Sequence, residues 1–189
     1  MWPIAILAAG GALALASNRG PKNLVQVQSH KDGNLYNVQN LPDKDEAADK
    51  LAEVRANLEK LINHYKDDPA SINDPRIKVM VERFHPENIC ENDINENSTS
   101  YSENKGEKIV VCIRDKRPGY PFVDTNTIMF VVLHEMAHLM TTTVGHTPEF
   151  WANFRILLND GSKIGIYTPE NYAHTPKLYC GMTITDSPL

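Results

Sequence analysis

The sequence predicts an α+β domain in which two packed helices carry a metal site beside a small mixed sheet. Three observations point there. The stretch 128–140 is apolar nearly all round yet contains two histidines and a glutamate. A second amphipathic stretch opens at Thr147, and short β-branched or alternating runs occur at 24–28, 35–38 and 109–113. At 189 residues, 41% of them hydrophobic, the chain is one ordinary domain plus appendages and can bury a core. Its formal net charge of −5 offers no attraction to nucleic acid, which is not an expected partner. The basic run Arg114, Lys116, Arg117 reads as a solvated loop.

Residues 1–22 form an N-terminal anchor or signal segment with its linker, and residues 23–189 the domain. Trp2–Ala16 carries no charge. Its length falls at or just under the roughly 17 residues a membrane span requires. Arg19 and Lys22 follow it, a charge bias that keeps the domain on the cytosolic side. The expectation is an uncleaved membrane anchor through residues 2–18. Secretion after cleavage near Ala14-Leu15-Ala16 is the alternative, but no basic region precedes the apolar run. Cys90, Cys112 and Cys180 lack CxxC or CxxxC spacing and are too few for a disulfide framework. Three buried thiols in a reducing compartment is the plainest reading, with one disulfide and a free thiol as the other.

After the Gly20-Pro21 linker, two alternating runs around Asp32-Gly33 predict a β-hairpin. Asp43, with Glu46 three residues on, predicts a capping box. The helix it opens has Ala47, Leu51, Val54, Leu58, Leu61, Ile62 and Tyr65 in one stripe and ends at Asp67-Asp68-Pro69. A shorter helix covers Pro75–Phe84. Residues 86–105 are polar, so loops with short strands are expected. Asp93, Asn95 and Asn97 mimic the start of a calcium loop, but Ser98 and Asn104 stand where Gly and Glu are needed. Asn97-Ser98-Thr99 is a glycosylation triplet, meaningful only in a secretory lumen. Ile109–Ile113 is a largely buried strand, followed by a turn at Pro118-Gly119.

Asp124 or Thr125 can cap the next helix, which runs through Met140. Burying two histidines and a glutamate in it is costly unless they are paired or bind metal. His134 and His138 are four residues apart and share one face, so both imidazoles can reach one zinc ion. Glu135 projects about 100° round the helix from His134, beside the metal, where it can act as general base toward water. A catalytic zinc needs a third protein ligand and an open position. The β-branched Thr141–Thr143 run weakens helix and Gly145 suits a C-terminal cap, so the chain turns there. Thr147 with Pro148 opens a new helix whose apolar stripe is Phe150, Trp151, Phe154, Leu157 and Leu158. His146, between the two helices, is the candidate third ligand and Glu149 its rival. Thr141 and Val144 occupy the positions where a metzincin has Gly and His, which excludes that branch.

His134-Glu135-Met136-Ala137-His138-Leu139, followed by Gly145-His146-Thr147-Pro148-Glu149-Phe150-Trp151, resembles the SprT-like and WLM group of small zinc metalloproteases. The likeness covers about residues 107–158. It implies a compact zincin-like fold related to the gluzincins, with a third ligand histidine in an H-x-x-x-F segment, here His146. It also implies that Ile109–Ile113 is the active-site edge strand, pairing with an extended peptide substrate. The tail from Ile166-Tyr167-Thr168-Pro169 to Tyr179-Cys180-Gly181-Met182 is similar to WLM-type proteins encoded by large DNA viruses. The chain departs from the group in its apolar N-terminus and in lacking an evident DNA-binding extension.

The expected activity is therefore peptide-bond hydrolysis with Zn2+ held by His134, His138 and His146, and Glu135 as the catalytic base. The alternative is a catalytically silent, zinc-stabilised structural or membrane-associated protein. His30, His64, His85 and His174 have no ligand spacing. Tyr167, Tyr172 and Tyr179 are candidates for a transition-state hydrogen-bond donor, with core packing the competing reading of each.

Overall fold

The computed structural model describes residues 23–95 and 97–189. The expected anchor and its linker, residues 1–22, lie outside the described residues. Among those described, no helix is long and apolar enough to cross a membrane.

Strands β1 (Leu24–Gln28) and β2 (Leu35–Gln39) form the expected antiparallel hairpin, with Val25 opposite Val38 and Val27 opposite Tyr36. Alternation places Val27, Tyr36 and Val38 in the core. The hairpin packs on α1 (Lys44–Asp67), whose buried residues are those of the apolar stripe together with Ala48 and Ala52. The anticipated capping box is absent. Asp43 precedes α1 but makes no side-chain cap hydrogen bond. Its carboxylate instead accepts from Arg114 Nη1 at 2.7 Å. A charge-assisted bond to a buried guanidinium outcompetes a neutral backbone N–H. Asp68 and Asp74 then cap the short α2 (Pro69–Ile72) and α3 (Pro75–Arg83).

Strands β3 (Ile89–Glu91), β4 (Tyr101–Glu103) and β5 (Lys108–Val111) make a mixed sheet in the order β3-β5-β4. The strand assigned to Ile109–Ile113 is shorter than expected and central, not an edge: β5 pairs in parallel with β3 and antiparallel with β4. Its continuous apolar run suits a position with neighbours on both sides, and Ile109, Val110 and Val111 are all buried. The ends of this sheet are β3, which is buried, and β4, whose Tyr-Ser-Glu sequence is half-buried. The β4–β5 turn holds three successive left-handed residues, Asn104, Lys105 and Gly106. A Cβ on Gly106 would sit 2.6 Å from the Arg83 carbonyl and 2.7 Å from Leu139 Cδ2, so only glycine lets this turn pack here.

Two further expectations are overturned. Arg114 is not in a solvated loop: it is 4% exposed, bonds Glu91 and Asp43, and lies 4.1 Å from the Phe122 ring centroid. Sequence neighbours Lys116 and Arg117 suggested a basic run, whereas the buried carboxylate of Glu91 draws Arg114 inward. The three cysteines are not all thiols. Cys112 and Cys180 form a disulfide with Cα atoms 6.1 Å apart, while Cys90 is free and buried. The pair is 68 residues apart in sequence, so only the fold brings it together. It fastens the C-terminal hairpin, β6 (Lys177–Tyr179) and β7 (Met182–Ile184), to the exit of β5.

Helices α4 (Thr125–Met140) and α5 (Pro148–Lys163) pack against each other, and α1, α3 and β5 also contact α4. Asp124 caps α4 by accepting from Thr127 N–H. Thr147 caps α5 as the sequence indicated. Together these helices position the site.

Candidate metal and active site

α4 carries His134 and His138 on one face, and the chain then leaves the helix at Thr141. Gly145, at φ 86°, turns it back, and His146 stands just before the α5 cap. The outcome is a cluster of three half-buried imidazoles. His134 Nε2 and His146 Nε2 are 3.0 Å apart. Each of His134, His138 and His146 offers a ring nitrogen within 4.8 Å of the others. Phe150 seats all three: its ring centroid lies 4.7 Å from His134, 4.4 Å from His138 and 4.6 Å from His146.

The rival ligand Glu149 is not part of this cluster. Its carboxylate accepts from the N–H and hydroxyl groups of Thr142 and Thr143. Those donors hold its carboxyl below the usual carboxylate range. Of the remaining histidines, His30 and His85 pair with the surface carboxylates of Asp49 and Glu87.

Electrostatics fit a cation. Burial pushes His134 well below the ordinary histidine value, with His138 and His146 adding to the effect. Burial likewise lowers His138 to about 4 and lowers His146. All three are therefore neutral at pH 7, with lone pairs available as ligands. Glu135, one residue from His134, is 8% exposed. Burial raises its carboxyl to about 8, opposed by a hydrogen bond from the Ser102 backbone of β4. A divalent ion nearby would favour the ionised carboxylate. Nitrogen ligands about 2.0–2.1 Å from a tetrahedral zinc stand roughly 3.3 Å from one another. The 3.0 Å between His134 and His146 is close to that spacing, and all three ring nitrogens lie within 4.8 Å, so the set could hold a metal ion.

Tyr167, Tyr172 and Tyr179 are all buried. Tyr167 and Tyr172 pack around Phe130, which fits the core reading. Tyr179 is an electrostatic neighbour of Glu135, but its hydroxyl is bonded to Ser100 Oγ, which also accepts from Cys112 N–H. Sequence reasoning missed Ser102 as a contact of Glu135, which has no local signal because it comes from packing between distant segments. Phe150 was placed in the apolar stripe and in the H-x-x-x-F segment, but its contact with all three histidine rings was not foreseen.

An α+β domain with three converging histidines, two of them on the helix that carries a buried glutamate, is of the metalloprotease type. The chain belongs to the WLM domain family, which matches residues 30–186. It is 30% identical over 186 residues to an uncharacterized protein of Acanthamoeba polyphaga mimivirus, covering 97% of this chain and 94% of that one. An uncharacterized protein of invertebrate iridescent virus 6 is 38% identical over 80 residues, 42% of this chain and 44% of its own length. Among solved structures, Wss1 from Saccharomyces cerevisiae shares the fold: TM-score 0.52 and 19% identity over 68% of this chain and 86% of that one.

Proposed function

We propose that the chain is a zinc-dependent endopeptidase. The observation carrying this reading is the convergence of three neutral imidazoles beside a buried glutamate. His134, His138 and His146 would hold the metal. A zinc ion there supplies Lewis acidity, which acidifies water and polarises a carbonyl.

The chain's own residues do the rest. Glu135, ionised when a cation lies beside it, accepts a proton from the attacking water and delivers it to the leaving amine nitrogen. The Ser102 contact holds its carboxylate in place. The same contact brings β4 to the site, and among the described residues β4 lies at the end of the sheet, paired with β5. An extended peptide can add to that edge by backbone hydrogen bonding. The substrate class is thus a polypeptide in extended conformation.

The test is cleavage of a panel of unstructured peptides by the zinc-loaded full chain, wild type beside Glu135→Gln. The expected result is turnover by the wild type and a loss on the order of 100- to 10,000-fold in the variant, with zinc retained in both. Equal absence of cleavage with zinc bound would favour the alternative of a catalytically silent, zinc-stabilised module.

A further inference from the structure

The loop between α4 and α5 is short, exposed and rich in β-branched residues, yet it is heavily hydrogen-bonded. Thr142 N–H and Oγ1 both donate to Glu149 Oε1 at 3.1 Å. Thr143 Oγ1 donates to Glu149 Oε2 at 2.9 Å, and Thr143 N–H reaches the same oxygen at 3.4 Å. Thr143 Oγ1 also meets Thr147 Oγ1 at 2.7 Å, joining the loop to the α5 cap. At its start, Thr141 Oγ1 donates to the Ala137 carbonyl and accepts from Asn153 Nδ2, a fully buried side chain of α5. The loop is therefore tied to α5 from Thr141 through Thr143. Only Val144 and Gly145 remain before His146.

His134 and His138 need no such device, because the helix itself fixes their separation. His146 has no helix of its own and would otherwise sample many directions. Holding it costs conformational entropy, and that cost is met either before the metal arrives or at the moment of binding.

We propose that Glu149 is a positioning residue that presets His146 toward His134 and His138 by gathering Thr142 and Thr143. It touches neither metal nor substrate. The proposal rests on the zinc reading above. It explains why an acidic residue three positions after the ligand histidine is directed away from the histidines: a carboxylate offers enough acceptor sites to collect four donors from two adjacent residues.

The experiment compares full-length wild type, Glu149→Ala, Glu149→Gln and His146→Ala. Zinc affinity is read by chelator competition, amide exchange at Thr142 and Thr143 is read in the metal-free form, and thermal unfolding is followed. Glu149→Ala is expected to weaken zinc binding by about 10- to 100-fold, the scale at which losing support around a ligand acts. Thr142 and Thr143 amides should exchange faster, with the unfolding transition little changed. Glu149→Gln keeps the side-chain volume and one acceptor oxygen, guards against simple misfolding, and should fall between. Unchanged affinity in Glu149→Ala, with zinc held tightly by wild type, overturns this inference alone. An affinity loss matching that of His146→Ala with loop exchange unaltered makes Glu149 a ligand and also overturns it. Failure of wild type to bind zinc overturns this inference and the peptidase reading together.

Discussion

Burial acts in opposite directions on His134 and Glu135, which are adjacent on α4. It disfavours the imidazolium of His134 and the carboxylate of Glu135, so both are neutral without metal. For Glu135 the folded value is about 8; an unfolded glutamate titrates near 4.3. Between these values the native state keeps a proton that the unfolded chain releases. Metal-free stability should therefore fall as pH rises through that window. The histidines act the other way: with His138 lowered to about 4, their contribution is lost as pH falls below the ordinary histidine value. Glu135→Gln removes the first effect alone. In metal-free protein, the stability gap between Glu135→Gln and wild type should widen by up to a few kcal/mol from about pH 4.5 to 8. Urea denaturation at several pH values measures it, and a gap independent of pH would contradict the assignment. The histidine spacing and the adjacent glutamate were legible in the sequence because one helix fixes their geometry. The contact of the Phe150 ring with all three imidazoles and the reach of Ser102 to Glu135 were not, since both depend on how separate segments pack.

Elements with strong periodicity matched expectation. α1, α3, α4 and α5, and the β1–β2 hairpin, all lie where apolar stripes and turn residues placed them, although α1 lacks the expected capping box. Three-residue strands carry too little pattern to be placed, which is why short strands were expected within 86–105 without positions for β3 and β4, and the β6–β7 hairpin was not expected. The apolar run at 109–113 signalled burial correctly, but burial cannot say which neighbours a strand has. The disulfide is the other long-range feature. It closes a 68-residue separation between the exit of β5 and the C-terminal hairpin that carries Tyr179. The chain-entropy relation gives about 4 kcal/mol for a loop of that length, an upper figure where the reduced chain keeps structure. Cys180→Ser should accordingly lower stability by about 2–4 kcal/mol in urea titration. An unchanged midpoint would mean that the hairpin is held without the bond.

Over the whole molecule, the core joins the α1 scaffold, the mixed sheet and the α4–α5 pair into one cluster. Arg114 ties three of its parts, reaching Glu91 on β3, Asp43 before α1 and the face of Phe122. A buried charge of this kind favours one arrangement, because any other leaves Glu91 buried without its partner. The α+β class and the helix carrying the paired histidines were legible from the sequence, and family membership over residues 30–186 agrees with the first. The central claim is that His134, His138 and His146 together hold one zinc ion. It is tested most directly by the zinc content and affinity of the purified full chain beside His146→Ala. The account predicts stoichiometric zinc in the wild type, and in His146→Ala a loss of affinity exceeding the roughly 10- to 100-fold expected for Glu149→Ala. Wild-type protein without stoichiometric zinc, or His146→Ala binding it as tightly, would contradict the account.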